Sequence, residues 1–241
     1  MPILGPGAQR LGNAMTYRWL LFDADGTLFD YDQAEKSALS ATCEAFSLPY
    51  TGTTLQNYRE INDQMWRDFE LGKVSQTQLK IERFQRLLDA IGTNSLDPAI
   101  FSHQYLHNLA NCAVLIPHAE NVIQALHTNV HLALITNGLK EVQRSRLAKS
   151  TIGHYFEAIL ISDELGVAKP DPGIFDAAFC AMGNPDKSHV MIIGDSLSSD
   201  IQGGSSYGID TCWYNPTRKP RDTQARIDYE VQDLREILSL I

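Results

Sequence analysis

Two aspartates stand one residue apart near the start of this chain, and their type and spacing suggest chemistry. Asp23 and Asp25 follow the apolar run Trp19–Phe22 and precede Gly26. The run has the length and composition of a buried parallel strand, and a glycine lets the chain turn sharply where such a strand ends. Two carboxylates this close repel each other unless a cation lies between them or one keeps its proton. The pair therefore predicts a metal site and acid/base chemistry.

Polar residues also follow three later apolar runs, each at the point where the run ends. The carboxyl ends of parallel strands lie along one edge of a sheet, which is where open α/β sheets place their ligands. Side chains far apart in the sequence are therefore expected to converge there with the first pair. The three ends are Thr136 and Asn137, Ser162 and Asp163, and Gly194 and Asp195.

The elements that must position these residues alternate along the second half of the chain. From Val114 onward, short apolar runs alternate with stretches of helical spacing, a rhythm typical of βαβ units. It predicts an α/β fold, a three-layer Rossmann-like parallel sheet with helices on both faces. A last strand is expected over residues 209–213, a polar loop over 216–228 and an amphipathic closing helix over about 233–240.

The stretch between the first strand and this alternation carries helical signals and almost no strand-like runs. Ser75 and Gln78 form a capping-box pattern. Asp97 and Pro98 supply an N-cap and a proline at the first helical position. Gly72 follows a run of helical spacing and predicts its end. These signals predict a compact helical insert.

The chain is therefore expected to form two domains and a leader. Residues 16–29 and 113–241 form the predicted catalytic core, and residues 30–112 form the inserted helical domain. Residues 1–15 mix apolar residues with glycine and proline and lack the continuous apolar stretch of a signal peptide. This leader is expected to be disordered or non-native, with Met15 as the natural start.

Composition excludes several classes of partner. A formal net charge of −9 and a pI near 5.2 argue against polymeric nucleic acid, whose binding depends on Lys and Arg. A small phosphorylated metabolite fits if a bound cation offsets its charge. No apolar stretch reaches the roughly 18 residues of a membrane span, so no membrane partner is expected. The four cysteines are scattered, which predicts reduced thiols in a cytoplasmic protein.

Together with one further position, the polar strand ends resemble the four separated motifs of the haloacid dehalogenase superfamily. The resemblance covers the chain from about Tyr17 to its end, in the family's order, and the helical insert resembles the family's C1-type cap. The matching residues are Asp23–Leu28 (DxDGT), Thr136 and Asn137, Lys169 and Pro170, and Gly194 and Asp195 with Asp200.

This resemblance implies a phosphatase that works through a covalent intermediate. Asp23 would attack phosphorus and form an aspartyl-phosphate. Asp25 would protonate the leaving oxygen and then take a proton from the water that hydrolyses the intermediate. Dehalogenases of the family lack an aspartate at the position of Asp25, so its presence favours attack on phosphorus over attack on carbon.

The same resemblance implies a cofactor and a site for phosphate. Mg²⁺, which prefers oxygen ligands, would be bound by Asp23, Asp195 and the backbone carbonyl of Asp25. Asp200 would orient a metal-bound water. Hydrogen-bond donors and a lysine would bind the phosphoryl oxygens and stabilise the charge that develops there. These expected phosphate-binding residues are Thr136, Asn137 and Lys169.

A closer resemblance is to the bacterial pyrimidine 5′-nucleotidases of the YjjG type. It implies hydrolysis of nucleoside 5′-monophosphates with a preference for UMP, dUMP and dTMP. Phe29, Tyr31 and Trp66 are candidates to line the substrate pocket, and Trp66 could stack on a base or pack among the cap helices. The stretches that carry the resemblance are Phe22–Phe29, the Trp66-bearing helix that ends at Gly72, Ile135–Gly138, Val167–Pro170 and Thr211–Trp213.

Two other functions stay open. A phosphatase of phosphoglycolate or of a sugar phosphate, or a phosphomutase, would need basic cap residues near the site, and Arg59, Arg67 and Lys73 are available. A non-catalytic phosphate-binding scaffold would require the loss of Asp23 or Asp25, and both are present. The assembly is expected to be a monomer or a homodimer.

Overall fold

One β-sheet organises the structure, a computed structural model that describes residues 3–4, 17–93 and 95–241. Within those ranges the sheet has seven strands. They are β1 (Ile3–Leu4), β2 (Trp19–Phe22), β3 (His131–Thr136), β4 (Ala158–Ile161), β5 (Val190–Gly194), β6 (Asp210–Tyr214) and β7 (Tyr229–Val231).

The strands follow the order β1-β7-β6-β5-β2-β3-β4. Every neighbouring pair is parallel except β1 and β7, which are antiparallel. Strand β2 lies between β5 and β3, with Leu21 opposite Ile192 on one side and Ala133 on the other. All three residues are fully buried, as expected for a sheet covered on both faces. The predicted α/β fold with a parallel sheet is confirmed.

Nine α-helices are present in the described part of the chain, and most follow the predicted alternation. The one-turn helix α7 was not predicted. The helices are α1 (Tyr31–Ala45), α2 (Gly52–Glu70), α3 (Gln76–Ala90), α4 (Pro98–Ala110), α5 (Ala119–Leu126), α6 (Lys140–Lys149), α7 (Ser162–Leu165), α8 (Pro172–Ala181) and α9 (Gln202–Tyr207).

The chain divides into two compact units. The sheet unit comprises Met1–Asp30, Val114–Lys140 and Leu147–Ile241, and the helical unit comprises Tyr31–Ala113 and Glu141–Arg146. In the sheet unit, helix α8 buries Ile174 and Phe175 against inward-facing residues of the strands. At about 25 cal/mol per Å² of apolar surface, such burial is the main source of the stability of this unit.

In the helical unit, the sequence predicted the starts of two helices, α3 and α4. At the start of α3, the Ser75 hydroxyl accepts from the Gln78 N–H at 3.2 Å and the Gln78 side chain accepts from the Ser75 N–H at 2.8 Å. At α4, the Asp97 carboxylate accepts from the Ala99 N–H at 2.8 Å. The centre of the unit is aromatic, and its rings lie 4.9–5.6 Å apart between centroids. They belong to Tyr58, Phe84, Phe101 and Tyr105.

The two ends of the chain differ from expectation. The closing segment Leu234–Ser239 is a 3-10 helix and not the predicted amphipathic α-helix, and β7 before it was not predicted. Within the predicted leader, Ile3 and Leu4 pair with β7, while residues 1–2 and 5–15 lie outside the described residues. None of the helices in the described ranges combines the length and apolarity needed to cross a membrane.

Candidate active site

Two neighbouring strands deliver aspartates to the same edge of the sheet. Asp23 directly follows β2, and Asp195 directly follows β5, which pairs with β2. The loop after β2 turns through Gly26, whose φ is +83°. A Cβ on this glycine would lie 2.8 Å from Oδ2 of Asp195, so the loop needs glycine here both for its backbone and for space.

A buried lysine connects the first aspartate to a third carboxylate. The Nζ atom of Lys169 donates to Oδ1 of Asp23 at 2.6 Å, to Oδ1 of Asp200 at 2.7 Å and to the carbonyl oxygen of Ile135 at 2.7 Å. These are all three hydrogen bonds that an ammonium group can donate. Burial lowers the pKa of Lys169, but Asp200 and Asp23 raise it more, so the lysine is charged.

Both carboxylate oxygens of Asp200 are engaged. Oδ1 accepts from Lys169, and Oδ2 accepts from the backbone N–H of Ser196 at 3.0 Å. A Cβ at Gly194 would lie 2.2 Å from Oδ2, so the strand end can pass this carboxylate only as glycine. Asp200 is fully buried in the short π-helix Leu197–Ile201, and its partners hold it in one orientation.

The site carries more negative charge than its lysine can balance. The carboxylates of Asp23, Asp195 and Asp200 have oxygens within 4.8 Å of one another. Burial raises the pKa of Asp23 well above its usual value, Lys169 lowers it, and the other two carboxylates raise it again. Burial and then Asp200 raise the pKa of Asp195 to about 7.

These three carboxylates fit a hard divalent cation. Clustered carboxylate oxygens are the donors that Mg²⁺ prefers. A cation there would offset both the burial and the mutual repulsion that raise the pKa values of Asp23 and Asp195. Since Asp200 already accepts from Lys169 and Ser196, Asp23 and Asp195 are the side chains best placed to bind it directly.

The second motif residues have different partners. Thr136, at the end of β3, is buried, and its hydroxyl oxygen accepts from the Gly138 N–H at 3.2 Å. The side chain of Asn137 forms two hydrogen bonds with the backbone of Lys169. Its Nδ2 donates to the Lys169 carbonyl at 2.8 Å, and its Oδ1 accepts from the Lys169 N–H at 2.7 Å.

This role of the Asn137 side chain was not predicted. Asn137 was expected to bind phosphate, and nothing in a separation of 32 residues shows that the two loops meet. The only available signal was the residue type, since an amide side chain can pair with one backbone N–H and one carbonyl at once.

Asp25 lies two residues beyond Asp23 and is half-buried, in contrast to the buried Asp23. Its loop is closed by backbone hydrogen bonds from Leu28 and Phe29 to the carbonyl of Ala24, at 2.9 and 2.8 Å. Asp163, at the end of β4, accepts from the backbone N–H of Lys140 at 2.8 Å and thereby caps the start of α6.

The three residues predicted to line a substrate pocket have different environments. Phe29 belongs to the sheet unit and is fully buried. Tyr31 and Trp66 belong to the helical unit and are half-buried. The Trp66 ring packs edge-on against Phe69 at 5.7 Å between centroids. Hydrogen bonds and short distances between carboxylates thus bring five predicted residues together within the sheet unit: Asp23, Asp195, Asp200, Lys169 and Asn137. Tyr31 and Trp66 belong to the other unit.

Comparison with known proteins identifies relatives of this arrangement. A sequence model of the family described as haloacid dehalogenase-like hydrolase matches residues 17–208. The pyrimidine 5′-nucleotidase YjjG of Escherichia coli is 32% identical over 227 residues, which covers 94% of this chain and 99% of that protein. The pyrimidine 5′-nucleotidase PynA of Streptococcus pneumoniae is 34% identical over 228 residues, which covers 94% of this chain and 96% of that protein.

A solved structure is similar in fold as well. The HAD-hydrolase YfnB of Bacillus subtilis, in a crystal form bound to magnesium, superposes with a TM-score of 0.88 at 35% identity. The similarity covers 93% of this chain and 98% of that chain.

Proposed function

The chain is a phosphatase of the haloacid dehalogenase-like hydrolase family, and we propose that it hydrolyses pyrimidine nucleoside 5′-monophosphates with Mg²⁺. The observation that carries the proposal is the buried Asp23, hydrogen-bonded to Lys169 beside the carboxylates of Asp195 and Asp200. Support for the substrate class comes from two relatives, each named a pyrimidine 5′-nucleotidase, that align along nearly the whole chain.

In the proposed reaction, Asp23 is the nucleophile. One of its carboxylate oxygens attacks phosphorus, the bond from phosphorus to the 5′-oxygen of the nucleoside breaks, and an aspartyl-phosphate forms. Lys169 holds one oxygen of Asp23 at 2.6 Å, which fixes the direction of the other. A bound Mg²⁺ would supply positive charge for the phosphoryl oxygens.

Asp25 is the proposed proton carrier. It donates a proton to the departing 5′-oxygen and then accepts one from the water that attacks the aspartyl-phosphate, which returns Asp23 to its starting state. Its half-buried position supports this role, because the group must reach both the leaving group and water. Such acid/base assistance typically contributes about 10²–10⁴-fold in rate.

The remaining motif residues bind or position. Thr136 and the backbone N–H of Asn137 are proposed to donate to phosphoryl oxygens, where fixed donors stabilise the developing charge. The side chain of Asn137 positions Lys169 through its two backbone hydrogen bonds. Asp200 positions Lys169 from the other side.

The alternative of a small acidic substrate receives less support. The basic residues that could recognise one in the helical unit already have partners there. Arg59 pairs with Glu35 at 2.6 Å and with Asp32 at 3.2 Å, and Lys73 pairs with Asp68 at 3.3 Å. Arg67 donates to Gln64 at 3.1 Å.

The four cysteines are free thiols, two of them buried, which supports the proposed cytoplasmic location.

A phosphate-release screen with Mg²⁺ tests the substrate class. We expect UMP, dUMP and dTMP to give higher kcat/KM than AMP, 2-phosphoglycolate or ribose 5-phosphate. If a non-nucleotide substrate ranks first, the nucleotidase proposal fails while the phosphatase assignment stands.

Removal of the metal tests the cofactor. We expect EDTA to abolish turnover of UMP and added Mg²⁺ to restore it, because three carboxylates lie together at the site and the lysine pairs with only two of them. Full activity in the chelator would remove the metal from the mechanism. Circular dichroism with and without EDTA serves as the control for folding.

A further inference from the structure

The indole of Trp213 contacts the backbone of the candidate metal ligand Asp195. Trp213 lies near the end of β6, opposite Gly194 of β5, and Asp195 is the next residue after that glycine. Its Nε1 donates to the carbonyl oxygen of Asp195 at 2.9 Å. The side chain is 1% exposed, and an indole has a single N–H to donate. The whole hydrogen-bonding capacity of this buried ring is therefore used at the site.

The peptide group between Asp195 and Ser196 is hydrogen-bonded on both sides. Its carbonyl accepts from Trp213, and its N–H donates to Oδ2 of Asp200 at 3.0 Å. In a trans peptide these two groups lie in one plane and point in opposite directions. Two buried side chains, one from β6 and one from the short π-helix that follows the site, therefore fix the orientation of this plane.

The orientation of this plane determines where the Asp195 carboxylate points. Rotation about the bond between the Cα and the carbonyl carbon of Asp195 would turn its carbonyl oxygen away from the indole. The same rotation would turn the next N–H away from Asp200. Holding both groups therefore holds the dihedral angle ψ of Asp195, and with it the direction in which its side chain leaves the backbone.

The same peptide group connects Trp213 to the nucleophile. Asp200 accepts from Lys169 at 2.7 Å through its other oxygen, and Lys169 donates to Asp23 at 2.6 Å. A continuous series of hydrogen bonds thus runs from β6 through this peptide group to Asp23. All of its members belong to the sheet unit.

We propose that Trp213 is a positioning residue of the active site, which orients the Asp195 carboxylate for Mg²⁺ through the peptide group that follows it. The inference rests on the proposed Mg²⁺-dependent function and adds to it a residue outside the four motifs. A tryptophan that only fills the core needs some buried acceptor for its N–H, whereas this acceptor is the backbone of a metal ligand. Loss of the indole N–H should then weaken metal binding.

The first test removes the N–H and keeps an aromatic ring in the core. Trp213→Phe should raise the Kd for Mg²⁺, measured by calorimetric titration, about 10–100-fold, the usual range when an outer partner of a metal ligand is lost. Thr211→Val is the matched control, since it removes a buried hydroxyl of the same strand that donates to the carbonyl of Arg226 at 2.8 Å. An unchanged Kd in a folded Trp213→Phe variant, or an equal rise in Thr211→Val, would overturn the proposal.

Turnover separates a positioning role from general damage to the fold. In Trp213→Phe, the Mg²⁺ concentration that gives half-maximal hydrolysis of UMP should rise by the same factor as the Kd. Saturating Mg²⁺ should restore kcat, because the displaced carboxylate is still present. A kcat that stays low at saturating Mg²⁺ would show that the substitution acts on the fold, against the proposal.

The second test uses the wild type and does not depend on whether a variant folds. Coupling between two equilibria is reciprocal, so a hydrogen bond that favours Mg²⁺ binding is itself favoured by bound Mg²⁺. Hydrogen exchange of the Trp213 indole N–H, followed by NMR, should slow about 10–100-fold on addition of Mg²⁺. The indole of Trp19, which stacks on His131, should keep its rate. Equal exchange of Trp213 with and without Mg²⁺ would contradict the proposal.

The two proposals fail in distinguishable ways. If the wild type binds no Mg²⁺, or keeps its turnover of UMP in EDTA, the cofactor of the proposed function fails, and the role of Trp213 fails with it. If Mg²⁺ is required but Trp213→Phe binds it as tightly as Thr211→Val does, the function stands and the assignment to Trp213 is wrong.

Discussion

The two units each contain a buried cation, and the two cations are treated differently. In the sheet unit, Lys169 donates all its hydrogens, two of them to carboxylates. In the helical unit, Arg83 donates to one amide oxygen and lies against aromatic rings, and two of its nitrogens have no acceptor among the described residues.

The difference concerns what each cation can still bind. All three donors of Lys169 already have acceptors, and two of these are the carboxylates of Asp23 and Asp200, which the lysine holds in fixed positions. The Nε and Nη2 atoms of Arg83 can gain a partner only from outside the described residues. A fully bonded buried charge favours rigid geometry, whereas a partly bonded one lowers the stability of the fold.

The largest expected effect comes from removing the nucleophile held by Lys169. Asp23→Asn should lower turnover by at least about 10³-fold while the protein stays folded, because the amide cannot attack phosphorus. Phosphate release from UMP and circular dichroism measure the two properties. Asp222→Asn, at an exposed position, is the control. Undiminished turnover in Asp23→Asn would refute the mechanism.

Removing Lys169 tests how much the fully bonded cation stabilises the fold. Lys169→Met leaves Asp23 and Asp200 without their shared cation in a buried site, and we expect it to lower the free energy of unfolding by about 3–5 kcal/mol. Urea denaturation measures it. Adding Asp200→Asn should recover part of the loss, because it removes one of the two unpaired carboxylates. A double variant less stable than Lys169→Met would contradict this account.

Removing Arg83 should cost less. Arg83→Met takes away one hydrogen bond and the contacts with the rings but leaves no buried carboxylate without a partner, so we expect a loss of about 1–3 kcal/mol. The same urea experiment compares it with Lys169→Met. If the two variants are equally destabilised, the contrast between the two cations does not hold.

The smallest effect is expected at Glu35, the buried carboxylate of the helical unit. Burial raises its pKa above the ordinary value of 4.5, and Arg59 lowers it by less. A raised folded-state pKa means that the protonated carboxyl group is the form that favours folding. Its contribution to stability is fully present below pH 4.5 and is lost as the pH rises through the folded-state pKa.

Glu35→Gln should therefore match the wild type at low pH and exceed it in free energy of unfolding at neutral pH. We expect a gain below about 1 kcal/mol, because Arg59 is partly exposed and solvent weakens the pair. Urea denaturation across this pH range measures it, with Asp32→Asn as control, since Asp32 pairs with the same arginine at an exposed position. A variant less stable than the wild type at neutral pH would reverse the sign of the argument.

The sequence predicted the sheet because each strand of the parallel core is a continuous apolar run that ends in polar residues. The apolar run Trp19–Phe22 was predicted with the bounds that the structure has. Strand β7 escaped notice because Tyr229–Val231 is only three residues long and half-exposed, and it lies between the edge strand β1 and β6. The closing 3-10 helix has the apolar spacing of an α-helix but is only six residues long.

The site was predictable where chemistry is carried by residue type and less so where it depends on contacts. Asp23 and Asp195 are recognisable because they belong to a set of polar residues that each follow an apolar run of strand length. The partners of Lys169 cannot be recognised from their residue types. Ile135 contributes only its backbone carbonyl oxygen, and Asn137 contributes a side chain that hydrogen-bonds to the backbone of Lys169. Arg83 was missed as well, since an arginine at helical spacing usually lies on a solvated face.

The paired hydrogen bonds between Asn137 and Lys169 also affect local dynamics. They attach the loop that carries the lysine to the end of β3, so neither loop can open alone without breaking both bonds. In native-state hydrogen exchange, the amides of residues 137–138 and 169 should therefore exchange as one cooperative unit. Asn137→Ala would separate them, and the Lys169 amide would exchange faster while the buried strand β3 kept its protection.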